Sequence, residues 1–287
     1  MKCKAAAGLP LLICVLITSA QQRPPSNLPP EMDPNFESSS EKADKAFRAL
    51  RDLEVRRTKD QLPVNSQKIY RKPTKEELEI LAPSKDVVDQ YSRFLSQPNT
   101  GVLKLNANVR CAENPVVVSA DEDCIKYNIP GGGTAFSFRY RSYRIPRLSD
   151  LALQRDVLRA DGVLQLGIIV DLGDIPIEDV TIITPGMKYL TSFRPTVSSK
   201  NDLDVVDLEL GKGIEADGFL YRKGFYAIVN KTYGLRTIAF KANLPEFAFD
   251  KRQDTMVAFR VVKVDTNGDV TVVWHELERR DAPSIKL

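Results

Sequence analysis

From Val102 to the end of the chain, apolar and polar positions mostly alternate in twos, the spacing that gives a strand one buried and one wet face. Phe136, Phe138 and Tyr140 alternate with Ser137, Arg139 and Arg141 after the Gly131-Gly132-Gly133 turn. Residues 151–158 and 163–170 predict a hairpin around Ala160-Asp161-Gly162, and further strands are expected over 219–221, 226–229 and 235–240. Residues 256–264 and 270–277 flank Thr266-Asn267-Gly268, where Asn-Gly predicts a type I′ turn. Short strands joined by tight turns, without long helices between them, predict an antiparallel β-sandwich or barrel-like domain over 101–287. With helices ahead of it, the class is α+β, mainly β.

Upstream the period changes. Ala43, Phe47, Leu50 and Leu53 fall at three- and four-residue spacing amid charges, which predicts a helix over 41–61. Thr74 with Glu77 forms a capping-box pattern before a short run that ends at Pro83. Ser84 is placed to cap a second run, in which Val87, Val88, Tyr91, Phe94 and Leu95 share a face. Pro98-Asn99-Thr100-Gly101 stops it and closes a helical region over 41–100. Residues 185–193 predict one or two helical turns, and 201–212 fit a short helix or an acidic loop. Residues 21–40 hold three Pro-rich points and a Ser run with only isolated apolar residues, the composition of a disordered tether.

The first twenty residues change what the rest implies. Lys2 and Lys4 precede an apolar run from Leu9 to Ile17, and Thr18-Ser19-Ala20 ends it with small residues. That is a secretory signal pattern, with cleavage expected between Ala20 and Gln21 and a secreted or periplasmic product. The run is too short to span a bilayer, so no integral span is expected after cleavage. Removing it takes away Cys3 and Cys14 and leaves Cys111 and Cys124. In an oxidising compartment these two are expected to pair, closing a loop worth roughly 3 kcal/mol in the chain-entropy model. The formal net charge of +3 falls to +1 once the two lysines go. Such a chain has no global field to attract nucleic acid.

Candidate chemistry is sparse. His275 is the only histidine. It precludes an ordinary multi-histidine zinc site, and no Gly-x-Ser-x-Gly elbow accompanies it. Beside Trp274 in the last strand, it is expected to be an edge or surface residue held by the fold. Asp171, Asp174, Glu178 and Asp179 lie among apolar residues, and paired carboxylates are what a glycoside hydrolase uses. Gly173 and Pro176 also fit an ordinary acidic turn. Asp265 to Asp269 lacks the Gly and Glu placement of an EF-hand, and Asn230-Lys231-Thr232 is a glycosylation acceptor pattern. Arg139 and Arg141 are expected on the face opposite Phe136, Phe138 and Tyr140, with Tyr143 on the arginine side, a small patch suited to an acidic glycan. Neither a cofactor nor a metal is indicated.

The sequence therefore favours an exported, non-catalytic binding or structural protein. Its partner would be an envelope polymer, an acidic glycan or another exported protein. One alternative is a carbohydrate-active hydrolase using the Asp171–Asp179 acids. A second is an interaction module acting through the 41–61 helix.

Overall fold

The alternating segments form two antiparallel sheets, because each strand's apolar face needs a partner face to leave water. The computed structural model describes residues 72–107, 130–242 and 251–287. The signal, the tether, the 41–61 helix and both Cys111 and Cys124 lie outside the described residues.

The larger sheet has seven strands in the order β1-β12-β11-β10-β6-β8-β7, and the smaller has five, β3-β2-β4-β5-β9. Their ranges are β1 Thr100–Leu105, β2 Ala135–Ser137, β3 Ser142–Tyr143, β4 Leu151–Gln154, β5 Val157–Arg159 and β6 Gln165–Gly173. The remainder are β7 Ile214–Ala216, β8 Phe219–Arg222, β9 Gly224–Tyr226, β10 Thr232–Ala239, β11 Gln253–Val264 and β12 Val270–Asp281. Every pairing within the two sheets is antiparallel. Both sheets keep two edges among the described residues, so the architecture is an open sandwich and not a closed barrel.

Five α-helices complete the described fold: α1 Lys75–Ile80, α2 Lys85–Gln90, α3 Ser92–Leu95, α4 Met187–Ser192 and α5 Lys200–Lys212. None is long and apolar enough to cross a membrane. The Thr74–Glu77 capping box is present at α1. Residues 201–212 resolve as helix α5, opened by a second capping box between Ser199 and Asp202.

The core has two layers that share the large sheet. On one face, Leu103, Ile169, Leu235, Phe259 and Trp274 pack against Phe136, Phe138, Leu151 and Leu158 of the small-sheet layer. On the other, Ile168, Val170, Ala258 and Val273 pack against Phe94 of α3, Met187 and Leu190 of α4, and Leu203 and Leu210 of α5. Each large apolar side chain buried this way stabilises by roughly 1.5–3 kcal/mol.

Three local expectations are corrected. The hairpin over 151–170 turns at Arg155-Asp156, not at Ala160-Asp161-Gly162: Leu153 pairs with Leu158, while β6 lies in the other sheet. Residues 160–164 are thus a crossing between sheets. The β11–β12 hairpin forms as expected, but its turn is not type I′. Gly268 alone has positive φ, its N–H donates to the Asp265 carbonyl, and Asp265 N–H donates to Asp269, which is a type I turn with a glycine bulge. Finally, β2 stops at Ser137, and residues 138–141 turn the chain, with Arg141 at φ 50. The alternation through Arg141 is therefore not carried by a strand.

Candidate functional site

The chain passes from β8 in the large sheet to β9 in the small one through a single residue, Lys223. Strand switches of this kind make the corners of packed sheets. The corner is held where the Ala160 N–H donates to the Lys223 carbonyl and the Ala227 N–H to that of Asp156. Gly224 lets β9 approach β5, since a Cβ there would press on the Leu158 carbonyl and the side chains of Val157 and Arg159. Arg222, Lys223, Phe225 and Tyr226 are thereby brought beside Arg159 and the last turn of α5 at Gly211. Together they line a cleft of about 230 Å³.

Three cations serve this cleft in different ways. Lys223 Nζ lies 2.6 Å from Asp161 and 2.8 Å from Asp207, and Arg159 also pairs with Asp161. Burial alone would lower the Lys223 pKa, but the hydrogen bonds to Asp161 and Asp207 outweigh it and raise it. Burial would likewise raise Asp161, yet Arg159 and Lys223 hold its carboxyl below the ordinary range. Arg222 is different. Its guanidinium stacks 4.3 Å from the centre of the Phe225 ring, it has no carboxylate partner among the described residues, and its Nε is buried without a hydrogen bond. Tyr226, 57% exposed, also lines the cleft. A stacked guanidinium in a cleft that also holds an exposed aromatic residue suits an anion carried on a partly apolar body.

The residues singled out from sequence are dispersed. Asp171 accepts from its neighbour Gly173 N–H at 2.7 Å and lies 3.4 Å from Lys231. Asp174, with its side chain 71% exposed, pairs at 2.6 Å with Arg260. Arg260 shares the face of β11 with Met256 and Ala258, toward the helices, whereas Asp171 shares the face of Ile169, toward the small sheet. Glu178 and Asp179 are exposed on the short turn Ile177–Asp179. Asp171 and Asp174 thus pair with different cations, and Glu178 and Asp179 stand exposed after them. Among the described residues, no group of three or more His, Cys, Asp or Glu is placed to hold a metal ion.

The Arg139–Tyr143 segment also departs from the expected patch. Arg139 is buried between the sheets, with Nε 2.8 Å from Asp150, and Nη2 donates to Gln165 and to the Leu148 carbonyl. Asp150 in turn accepts from Ser137, Thr237 and the Arg139 N–H. Arg141 is half exposed and donates to Asn99 at 2.7 Å. Tyr143 is buried, and its hydroxyl both donates to the Lys104 carbonyl and accepts from the Lys104 N–H. The stacked pair in this region is instead Arg144 over Tyr140, at 4.5 Å.

His275 lies in β12, between β1 and β11, so it is not an edge residue. Its ring meets Phe94 edge-on, and burial lowers its pKa against a smaller opposing effect of Glu276. The corner cleft escaped sequence reading because three separate segments supply it; the one local signal was Arg222-Lys223 followed, after Gly224, by Phe225-Tyr226. Comparison with protein-family models, with characterised proteins and with solved structures gives no match for this chain.

Proposed function

We propose that the protein is an exported, non-catalytic binding protein that holds an acidic glycan of the envelope or extracellular space in the corner cleft. The observation that carries this reading is Arg222, stacked on Phe225 in a cleft that exposed Tyr226 also lines, and free of any carboxylate partner among the described residues. A uronic acid matches both halves of that arrangement, with its carboxylate on the guanidinium and its ring against the aromatic face. The volume of about 230 Å³ falls below the usual range for a drug-sized ligand, which fits one residue of a longer polymer. Binding is supported by the composition of the cleft lining, which offers cations and aromatics, with the nearby carboxylates of Asp161 and Asp207 both held by Lys223. Export rests on the basic, apolar and small-residue order of the first twenty positions.

The test is binding of a soluble polyuronic acid against a neutral glucan, with reducing ends counted in parallel. Retention of the polyuronic acid alone, lost in Arg222→Gln and weakened in Tyr226→Ala without new reducing ends, supports the proposal. Equal retention of both polymers, or binding unchanged in Arg222→Gln, overturns it. Release of reducing ends would replace binding with hydrolysis.

A further inference from the structure

On the helix-side face of the large sheet, well apart in sequence from the corner cleft, the end of α4 and the chain after β12 enclose a groove of about 500 Å³. Its walls include Pro195, Ile238 and Pro283, and Arg194, Arg236 and Arg280 converge on it. The arginines are not equivalent. Arg236 is fully committed: Nε and Nη2 hold Asp254 in a two-pronged bridge, and Nη1 donates to the carbonyls of Leu190 and Phe193. Arg280 gives Nε and Nη2 to Glu278. Arg194 donates only through Nη1, to the carbonyls of Thr191 at 2.7 Å and Phe193 at 2.9 Å. Those two bonds fix the plane of its guanidinium. Its Nε/Nη2 edge, the fork that matches a carboxylate, has no partner among the described residues.

We propose that this groove is a second binding site, which takes a monocarboxylate carried on a small apolar body, with the Arg194 fork on the carboxylate and Ile238 and the two prolines on the body. Charge selects the monoanion. Asp254 offsets Arg236, Glu278 offsets Arg280, and Asp281 lies 3.8 Å from Lys241, which leaves the single charge of Arg194 uncompensated. A dianion such as phosphate would over-neutralise the site and face three nearby carboxylates. The positive field is visible on Glu278: the hydrogen bond from Arg280 leads in holding its carboxyl below the ordinary range, and Arg236 and Arg194 add to it. The groove is the right size for such a ligand, within the 300–1,000 Å³ typical of small-molecule sites. Its fixed floor, the Arg236–Asp254 bridge, needs no rearrangement to receive it.

The experiment is a titration of the full chain with benzoate, benzamide and inorganic phosphate, followed by calorimetry and by backbone amide shifts at 194–197 and 280–284. Benzoate should bind at least tenfold more tightly than the isosteric neutral benzamide, and more tightly than phosphate. Arg194→Gln should lose tenfold or more, and Arg194→Lys should fail to restore it, because an ammonium cannot present a fork. Arg222→Gln, in the other cleft, should bind benzoate as the wild type does, so the two sites stand or fall separately. Equal binding of benzoate and benzamide, stronger binding of phosphate, or an unaltered Arg194→Gln in a protein with wild-type circular dichroism overturns the proposal.

Discussion

Arg139 shows how far a single residue's role depends on a partner remote in the fold. The sequence offers it as a surface cation on an alternating strand. In the structure its side chain is 1% exposed and its bridge to Asp150, with side chain 0% exposed, fills the polar end of the inter-sheet layer. Nothing near Arg139 in sequence announces this, because Asp150, Gln165 and Thr237 come from three other strands or their ends. Removing one member of a buried pair leaves the other charge unmatched, which costs roughly 3–5 kcal/mol. Arg139→Met is therefore expected to lower the unfolding free energy by about that amount, read from the urea midpoint. A loss under about 1 kcal/mol would mean that the pair is solvated in solution.

At the scale of elements, local signals were legible and long-range choices were not. The Thr74–Glu77 box and the pairing of β11 with β12 are set within a few residues and read correctly from the chain, though the turn between those strands is not the expected type. The turn after β4 does not: Asp161-Gly162 is the stronger turn signal, yet pairing of Leu153 with Leu158 places the bend at Arg155-Asp156. What decides it is the crossing to β6, where Gly167 lies directly against the backbone of Ala160. A methyl at 167 would strike the Ala160 carbonyl, which cannot move without shifting the crossing. Gly167→Ala is expected to cost about 3 kcal/mol or more, measured by thermal unfolding. Helix α5 carries an acid-sensitive start. Hydrogen bonds from the Ser198 hydroxyl, its N–H and Ser199 hold the Asp202 carboxyl down at about 2, from an ordinary 3.8. A depressed carboxyl stabilises the fold at pH above its unfolded value and gives that up as pH falls through the folded one. Protection factors of the amides at the start of α5, corrected for intrinsic exchange, should therefore fall between about pH 4 and 2, and Asp202→Asn should flatten that dependence. Equal pH dependence in both proteins would discount the cap.

For the molecule as a whole, the large sheet belongs to both core layers, so neither layer can open without stripping one of its faces. Trp274, the only tryptophan, sits in the inter-sheet layer, while α4 and α5 report on the other. Emission of Trp274 and helical circular dichroism are expected to follow one urea transition. Separate midpoints would show that the layers unfold independently. The class of fold was readable because alternation persists over many strands; the corner cleft and the arginine groove were not, since each is assembled from segments far apart in the chain. The hydroxyl of Tyr143 carries a last consequence. Among the described residues strand β1 ends the large sheet, and the open side of such a strand is a template on which a neighbouring molecule can add. By taking both the N–H and the carbonyl of Lys104, that one phenol occupies the slot from within. It is expected to oppose edge-to-edge pairing there. Tyr143→Phe should leave the monomer folded but raise its tendency to self-associate in sedimentation at high concentration. An unchanged sedimentation profile would assign that protection to other parts of the edge.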